Sequence, residues 1–308
     1  MKYRDVGADI DKHWAVHREV AQWLGGARGL YTGWVEVGGV ETTLHVDGVG
    51  TKAVLALELD RLETAGRDCV TVNVNDVVCD GFRTVAVVDY IAVEPAHLEK
   101  VPRVVEGVAS KAKEVGAVLI GGETAVLPGV LFGIDVVCTV LAIRVVKTRP
   151  PQPGDVLIGL PSTGPHANGY SLLRRLFKPG EEVCGARAAD LLLAEVADYS
   201  RVLEAMKNGA GAGAVHITGG AYKKLKKALG DRGAELNFEV PCIFKEVVER
   251  GVDAAEAYRV FNMGIGMVIY TDSSNVEHAL ALLEPFNPKI IGQVKETGPL
   301  VVNGIEIQ

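Results

Sequence analysis

The sequence predicts an α/β (α+β) fold divided into two domains. Strand-like runs alternate with helical stretches in both halves of the chain. Between them, residues 148–154 (TRPPQPG) hold three prolines and a glycine, a composition that blocks helix and sheet ladder alike. A boundary there gives domains of residues 1–147 and 148–308. At 308 residues, 48% of them hydrophobic, the chain is long enough to bury a core in each.

Residues 41–47 (ETTLHVD) form a β-like run that ends at Gly48, Gly50 and Thr51, and residues 53–62 then read as a helix. From residue 95 to 115, apolar side chains recur at Leu98, Val101, Val105, Val108, Ala112 and Val115, the spacing of an amphipathic helix. Residues 118–120 read as a buried strand running into a bend at Gly121-Gly122-Glu123. Residues 133–146, β-branched and nearly free of charge, read as a central strand. Beyond the break, 155–160 is a strand, 168–177 a helix, and 189–206 a second helix with its stripe at Leu192, Val196, Leu203 and Met206. Residues 267–270 read as a strand, 276–283 as a helix, and 301–307 as a hairpin turning at Asn303-Gly304.

Composition narrows the function. A net charge of −7 argues against a nucleic-acid partner held by phosphate neutralisation. Five scattered cysteines without a C-x-x-C pair argue against a zinc site or a dense disulfide framework, and they fit a reducing cytosol. The amino terminus lacks the apolar region of a signal peptide, and no stretch approaches the ~18 apolar residues of a membrane span. A cytoplasmic protein with no membrane partner is expected. His13 and His17 lie one helical turn apart, with no third metal ligand near them in sequence.

Three acidic segments could carry chemistry. In Asp47-Gly48-Val49-Gly50-Thr51-Lys52, small residues let the backbone approach phosphate, the following helix offers free N–H groups, and Lys52 supplies positive charge. Asp47 could hold a magnesium ion. A glycine-rich turn with a surface lysine explains this segment equally well, and it is not a Walker A loop. Asn73-Val74-Asn75-Asp76 places polar side chains in an apolar run, where they either bond locally or face a ligand. Gly121-Gly122-Glu123-Thr124 follows a strand, the usual place for ligands in α/β folds, with helix capping as the alternative for Glu123. Asp47, Asp76 and Glu123 together would suit a hard cation that bridges nucleotide phosphates.

The second half offers helix-start loops at Ser162-Thr163-Gly164-Pro165-His166-Ala167-Asn168-Gly169-Tyr170 and His216-Ile217-Thr218-Gly219-Gly220, each able to receive an anion. Helix capping by Asn168 and Thr218 is the plainer explanation. Asn262, in the glycine-punctuated run Phe261–Met267, is its one polar side chain, and a packed bend with a satisfied amide would account for it. The basic run at residues 223–227 (KKLKK) reads as a solvated helix face.

Taken in order, these segments resemble the phosphoribosylformylglycinamidine cyclo-ligase family (AIR synthetase, PurM). The match also includes the opening Tyr3-Arg4-Asp5-Val6-Gly7-Ala8-Asp9-Ile10, Asp89-Tyr90-Ile91 and Pro128-Gly129. The resemblance implies a two-domain fold whose N-terminal domains form a β-barrel in a homodimer. It also implies that ATP drives ring closure of formylglycinamidine ribonucleotide to aminoimidazole ribonucleotide, releasing ADP and phosphate. On that pattern Asp47, Gly48, Gly50, Thr51, Lys52, Asn75, Asp76, Gly121, Gly122, Glu123 and Thr124 would hold ATP. Mg2+ would sit on Asp47, Asp76 and Glu123; His166, Asn168, Thr218, Gly219 and Asn262 would hold substrate; Lys52 and His216 would be catalytic. The chain departs from the family's usual residues at Val126-Leu127 (Glu-Met), Ala167 (Ser) and Ala221 (Gly). Related functions to be weighed are a thiamine-monophosphate kinase-like enzyme and a non-catalytic nucleotide-binding regulatory subunit.

Overall fold

The computed structural model describes residues 2–7, 10–25 and 27–307. These residues form a six-stranded sheet drawn from residues 27–144, a seven-stranded sheet drawn from 156–307, and a two-stranded ribbon, Glu182–Val183 with Ala186–Arg187. Ala8 and Asp9 of the family-like opening lie outside the described residues, as do the side chains of His13 and His17. Among the described residues, no helix is long and apolar enough to cross a membrane.

The first sheet runs Ala27–Arg28, Gly33–Val37, Val40–Gly48, Ile134–Arg144, Phe82–Val93, Val118–Val126. The last pair is parallel, and its crossover is the helix Val101–Glu114, on the stripe read from the sequence. Alternate residues of the central strand, Val136, Cys138 and Val140, point into a core covered by helices Lys52–Glu58, Leu62–Cys79 and Val101–Glu114. The opposite face is bare: Val35, Leu44, Val46, Val118 and Ile120 are exposed on it or along its edge. The second sheet runs Gly213–His216, Ile265–Thr271, Val156–Pro161, Lys289–Lys295, Gly233–Leu236, Leu300–Val302, Ile305–Ile307. Its last two strands are the expected hairpin around Asn303 and Gly304.

Three readings are corrected and one helix is added. The helix expected over 53–62 stops at Glu58, because Asp60 takes a left-handed φ of 54° and a second helix starts at Leu62. Asn73–Asp76, for which no element was read, lies within the helix Leu62–Cys79, where only Glu63 and Arg67 escape burial. A helix buried on all sides has no polar face to give it away in sequence. Val118–Val126 is an exposed edge strand that continues straight through Gly121-Gly122-Glu123, rather than a buried strand ending in a bend. The helix expected over 189–206 is two short ones, Ala188–Leu192 and Val202–Lys207. The backbone between them is held extended by side chains of the N-terminal half, described below.

One disulfide joins Cys184, in the ribbon turn, to Cys242 across 58 residues, while Cys69, Cys79 and Cys138 are buried free thiols. The scattered spacing gave no sign of that pair.

The two long N-terminal helices cross almost backbone to backbone. A Cβ on Gly66 would lie 2.0 Å from the Val104 carbonyl oxygen, and one on Gly107 would lie 2.2 Å from that of Glu63. Gly107→Ala should therefore force the helices apart and lower the unfolding free energy by about 1–3 kcal/mol. Urea denaturation of the variant against the parent measures it.

Candidate active site

The helix Leu62–Cys79 carries Asp68, Asn75 and Asp76 through the middle of the molecule, and each finds its partner in the C-terminal half. Asp68 accepts the Val196 amide at 2.7 Å and pairs with Lys52 Nζ at 2.6 Å, both side chains having no solvent exposure. Lys52 also donates to the Ala194 carbonyl at 2.6 Å. Burial pushes the Asp68 carboxyl up, against the opposing pull of Lys52. Asn75 acts as a substitute strand: its amide donates to the Ala197 carbonyl at 2.8 Å and accepts the Tyr199 amide at 2.9 Å. Residues 194–199 thus satisfy their backbone on side chains, which is why they are not helical. The ammonium of Lys52 and the amide of Asn75, both expected at a nucleotide, face this interdomain contact instead.

Asp76 is the centre of a different arrangement. Its Oδ1 takes a 2.7 Å hydrogen bond from His216 Nδ1; its Oδ2 lies 3.5 Å from His45 Nε2 and 3.7 Å from Lys224 Nζ. Burial opposes its ionisation, but Lys224, His216 and His45 outweigh that and hold its pKa down at about 2. An ionised Asp76 can only accept, so His216 Nδ1 carries hydrogen and, in the neutral imidazole, Nε2 keeps its lone pair. That Nε2, itself buried, has no hydrogen-bond partner among the described residues. The backbone carbonyl of His216 accepts the Tyr31 hydroxyl at 2.6 Å, and Lys224 lies 4.2 Å from the centre of the Tyr31 ring.

Asp47 stands beside this cluster. The two-residue period of its strand puts His45 and Asp47 on the same face. Asn73 holds both, pairing with His45 Nδ1 at 2.8 Å and donating to the Asp47 carbonyl at 3.1 Å. Burial first, and the nearby Asp76 second, push the Asp47 carboxyl up, with Lys224 acting against them. Gly50, at φ 53°, turns the chain from this strand into the helix Lys52–Glu58, and the Thr51 hydroxyl reaches Ser171 at 3.3 Å.

Glu123 is apart from them. Register pairs Asp47 with Cys138, Cys138 with Asp89 and Asp89 with Gly122, so these four share the inner face of the sheet; Glu123 pairs with Tyr90 on the outer face. One chain therefore brings Asp47 and Asp76 together and leaves Glu123, with the exposed Gly121 and Thr124, elsewhere. Among the described residues no three His, Cys, Asp or Glu side chains are arranged as a metal site. Two carboxylates, one of them destabilised by the other, still suit magnesium, which takes its remaining ligands from water and phosphate oxygens.

The distal loops meet: Asn168 donates to the Thr218 hydroxyl at 3.0 Å, and Gly219 lies against Asn168. Neither Asn168 nor Thr218 caps a helix; the caps are Gly169 and Tyr222. His166, expected at substrate, is buried, its ring 6.1 Å from that of His216, and burial followed by His216 and Lys52 pushes its pKa well down. Asn262 is a satisfied amide in a packed bend, bonded to Ser162, Gly164 and Gly264. Ala221 adopts φ 45°, the left-handed geometry that explains why the resembling family prefers glycine there.

His45, Asn73, Tyr31 and Lys224 were not singled out as site residues. The alternation His45-x-Asp47 could have given His45. Nothing local distinguishes Lys224 within its basic run.

Comparison with known proteins gives two domain matches. AIR synthase related protein, N-terminal domain, matches residues 32–143, and its C-terminal domain matches residues 152–304. The phosphoribosylformylglycinamidine cyclo-ligase of Saccharolobus solfataricus is 36% identical over 318 residues, covering 100% of this chain and 96% of that protein. The enzyme of the same name from Sulfurisphaera tokodaii is 37% identical over 282 residues, 87% of this chain and 86% of that one. The solved structure of thiamine monophosphate kinase from Aquifex aeolicus superposes with a TM-score of 0.70 at 15% identity, covering 97% of this chain and 99% of that chain; the likeness is one of fold.

The depressed Asp76 pKa has a measurable consequence. The unfolded chain takes up that proton near the usual value of 3.8, the folded chain only near 2. The stabilisation is complete above the usual value and disappears as pH falls through the folded one. The unfolding free energy of the parent minus that of Asp76→Asn should shrink by about 2 kcal/mol between pH 5 and pH 2. Parallel denaturation series across that range measure it.

Proposed function

The chain belongs to the AIR synthase related protein family, and from that premise we propose that it is a phosphoribosylformylglycinamidine cyclo-ligase. It uses ATP to close formylglycinamidine ribonucleotide to aminoimidazole ribonucleotide, releasing ADP and phosphate. The observation that carries the reading at the site is the Asp76–His216 pair: a buried, ionised carboxylate orients an imidazole whose Nε2 has no hydrogen-bond partner among the described residues, and Asp47, its carboxyl pushed up first by burial, is near enough to Asp76 to be pushed up further by that charge.

The chemistry follows from what must move. The formyl oxygen attacks the γ-phosphorus and ADP departs, leaving a carbon bonded to a good leaving group. The amidine nitrogen then attacks that carbon, phosphate leaves, and the nitrogen loses a proton. His216 Nε2 is the acceptor for that proton, with Asp76 fixing the ring and offsetting the imidazolium charge. Lys224 supplies the positive charge near the phosphates that Lys52, engaged by Asp68, does not. Magnesium, held by Asp47 and Asp76, would offset charge on the transferred phosphoryl group. Asn168, Thr218 and Gly219 form the loop pair for the substrate's phosphate-bearing end.

A homodimer fits the bare outer face of the first sheet. Leu44, Val46, Val118 and Ile120 are each more than 60% exposed there, apolar surface that a second copy would cover to make the barrel. Glu123 lies on that face and would meet the partner chain. The division into residues 1–147 and 148–308 agrees with the separation of the two sheets, and a cytoplasmic location fits the pathway.

Steady-state release of ADP should depend on formylglycinamidine ribonucleotide. His216→Asn should lower kcat by about 10²–10⁴-fold while leaving the KM for ATP near that of the parent. ADP release that ignores the ribonucleotide would instead indicate a kinase or an uncoupled ATPase, and unchanged kcat in the variant would remove His216 from proton transfer.

A further inference from the structure

A cleft lies at the domain junction, where residues 28–34 and 144–151 meet the strand Gly213–His216 at Ala214, two residues before His216. Its volume is about 500 Å³, within the range of small-molecule sites. The wall is built from both halves of the chain and the linker between them, and its charges do not balance. Of the acidic groups on it, Glu41 is paired with Arg144 at 2.5 Å, and Asp80 is saturated by the amides of Leu30, Tyr31 and Thr32 and the Thr32 hydroxyl at 2.8–3.0 Å. Arg149 is held bidentate by Asp155 at 2.6 and 2.8 Å. That leaves Arg28, Lys147 and Lys227, which make no ion pair among the described residues, in a chain whose net charge is −7. The floor is Trp34, with the Arg144 guanidinium stacked 4.2 Å from its ring centre.

We infer that this cleft is a second binding site, for a small molecule carrying a diphosphate or similarly multivalent phosphate group. Arg28 comes from the first sheet, Lys147 from the linker and Lys227 from the helix Lys223–Leu229. A compact anion with several charges can engage all three, and a diphosphate brings more oxygens and more charge to match them than a carboxylate or a single phosphate does. Such a ligand would tie the two halves together at the linker.

The cleft also has a route to the other cluster. Asp80 and Asp76 are one helical turn apart around the end of the same helix. The loop that Asp80 holds by its amides contains Tyr31, whose hydroxyl bonds the His216 carbonyl and whose ring faces Lys224. A ligand that presses on residues 28–32 therefore acts on the groups around Asp76. This inference rests on the cleft alone and not on the proposed ring closure.

Titration of the full chain with inorganic pyrophosphate by calorimetry tests it, with ADP as a second probe of whether an attached nucleoside adds affinity. Lys147→Glu/Lys227→Glu alters exposed side chains and should weaken pyrophosphate binding at least tenfold without lowering Tm. Lys224→Ala, at the other cluster, should leave that binding within twofold. Saturable binding of either probe that the double substitution weakens supports the site. Absence of binding, binding untouched by the double substitution, or binding lost in Lys224→Ala would overturn it.

Discussion

Lys52, Asp68, Asn75 and Asp76 are all buried, and none of them could be so without the C-terminal half of the chain. An unpaired carboxylate or amide in this position would carry a desolvation penalty of several kcal/mol. Residues 194–199 and His216 remove it by presenting backbone N–H and C=O groups and an imidazole to the helix Leu62–Cys79. The requirement is mutual, since those residues would otherwise leave their own backbone groups unsatisfied. The polar contact across the two halves is therefore the constraint that fixes where the second sheet sits, and with it where His216 meets Asp76.

The same helix separates structural from chemical duties by position. Asp68 and Asn75, seven residues apart, lie along one stripe and are fully matched by protein partners. Asp76, one residue on, looks toward the strand of His45 and Asp47 and toward His216. Its partners are all side chains that can change protonation or yield to a ligand. Sequence proximity is thus a poor guide to role here: Asn75 belongs to the scaffold and Asp76 to the site, though they are neighbours.

Much of the architecture was readable from the residues alone. The strand, glycine turn and helix around Asp47–Lys52, the amphipathic crossover Val101–Glu114, the charge-free central strand and the proline-rich break are local signals with local causes. What was not readable depends on distant partners. The helix Leu62–Cys79 has no polar face because everything around it is protein, so its polar residues gave no sign of a helix. The helix expected over 189–206 has the right apolar stripe, yet its middle is drawn out by Asp68 and Asn75, more than a hundred residues earlier. Glu123 followed two glycines, which suggested a bend, but strand pairing with Tyr90 keeps the segment straight and turns the carboxylate to the far side of the sheet. Of the candidate site, Asp47, Asp76, His216 and the loops that carry Asn168 and Thr218 were legible as motifs. His45, Asn73, Tyr31 and Lys224 were not, because their relevance comes only from contacts made in the fold: His45 and Lys224 meet Asp76, Asn73 meets His45 and Asp47, and Tyr31 meets the His216 carbonyl.

Native-state hydrogen exchange at the Val196 and Tyr199 amides tests the interdomain contact most directly, since these two N–H groups donate to Asp68 and Asn75. The account predicts that both exchange only through global unfolding, with the same free energy and denaturant dependence as the slowest amides of the central strand Ile134–Arg144. Exchange of either amide through a low-energy local opening, insensitive to denaturant, would contradict it.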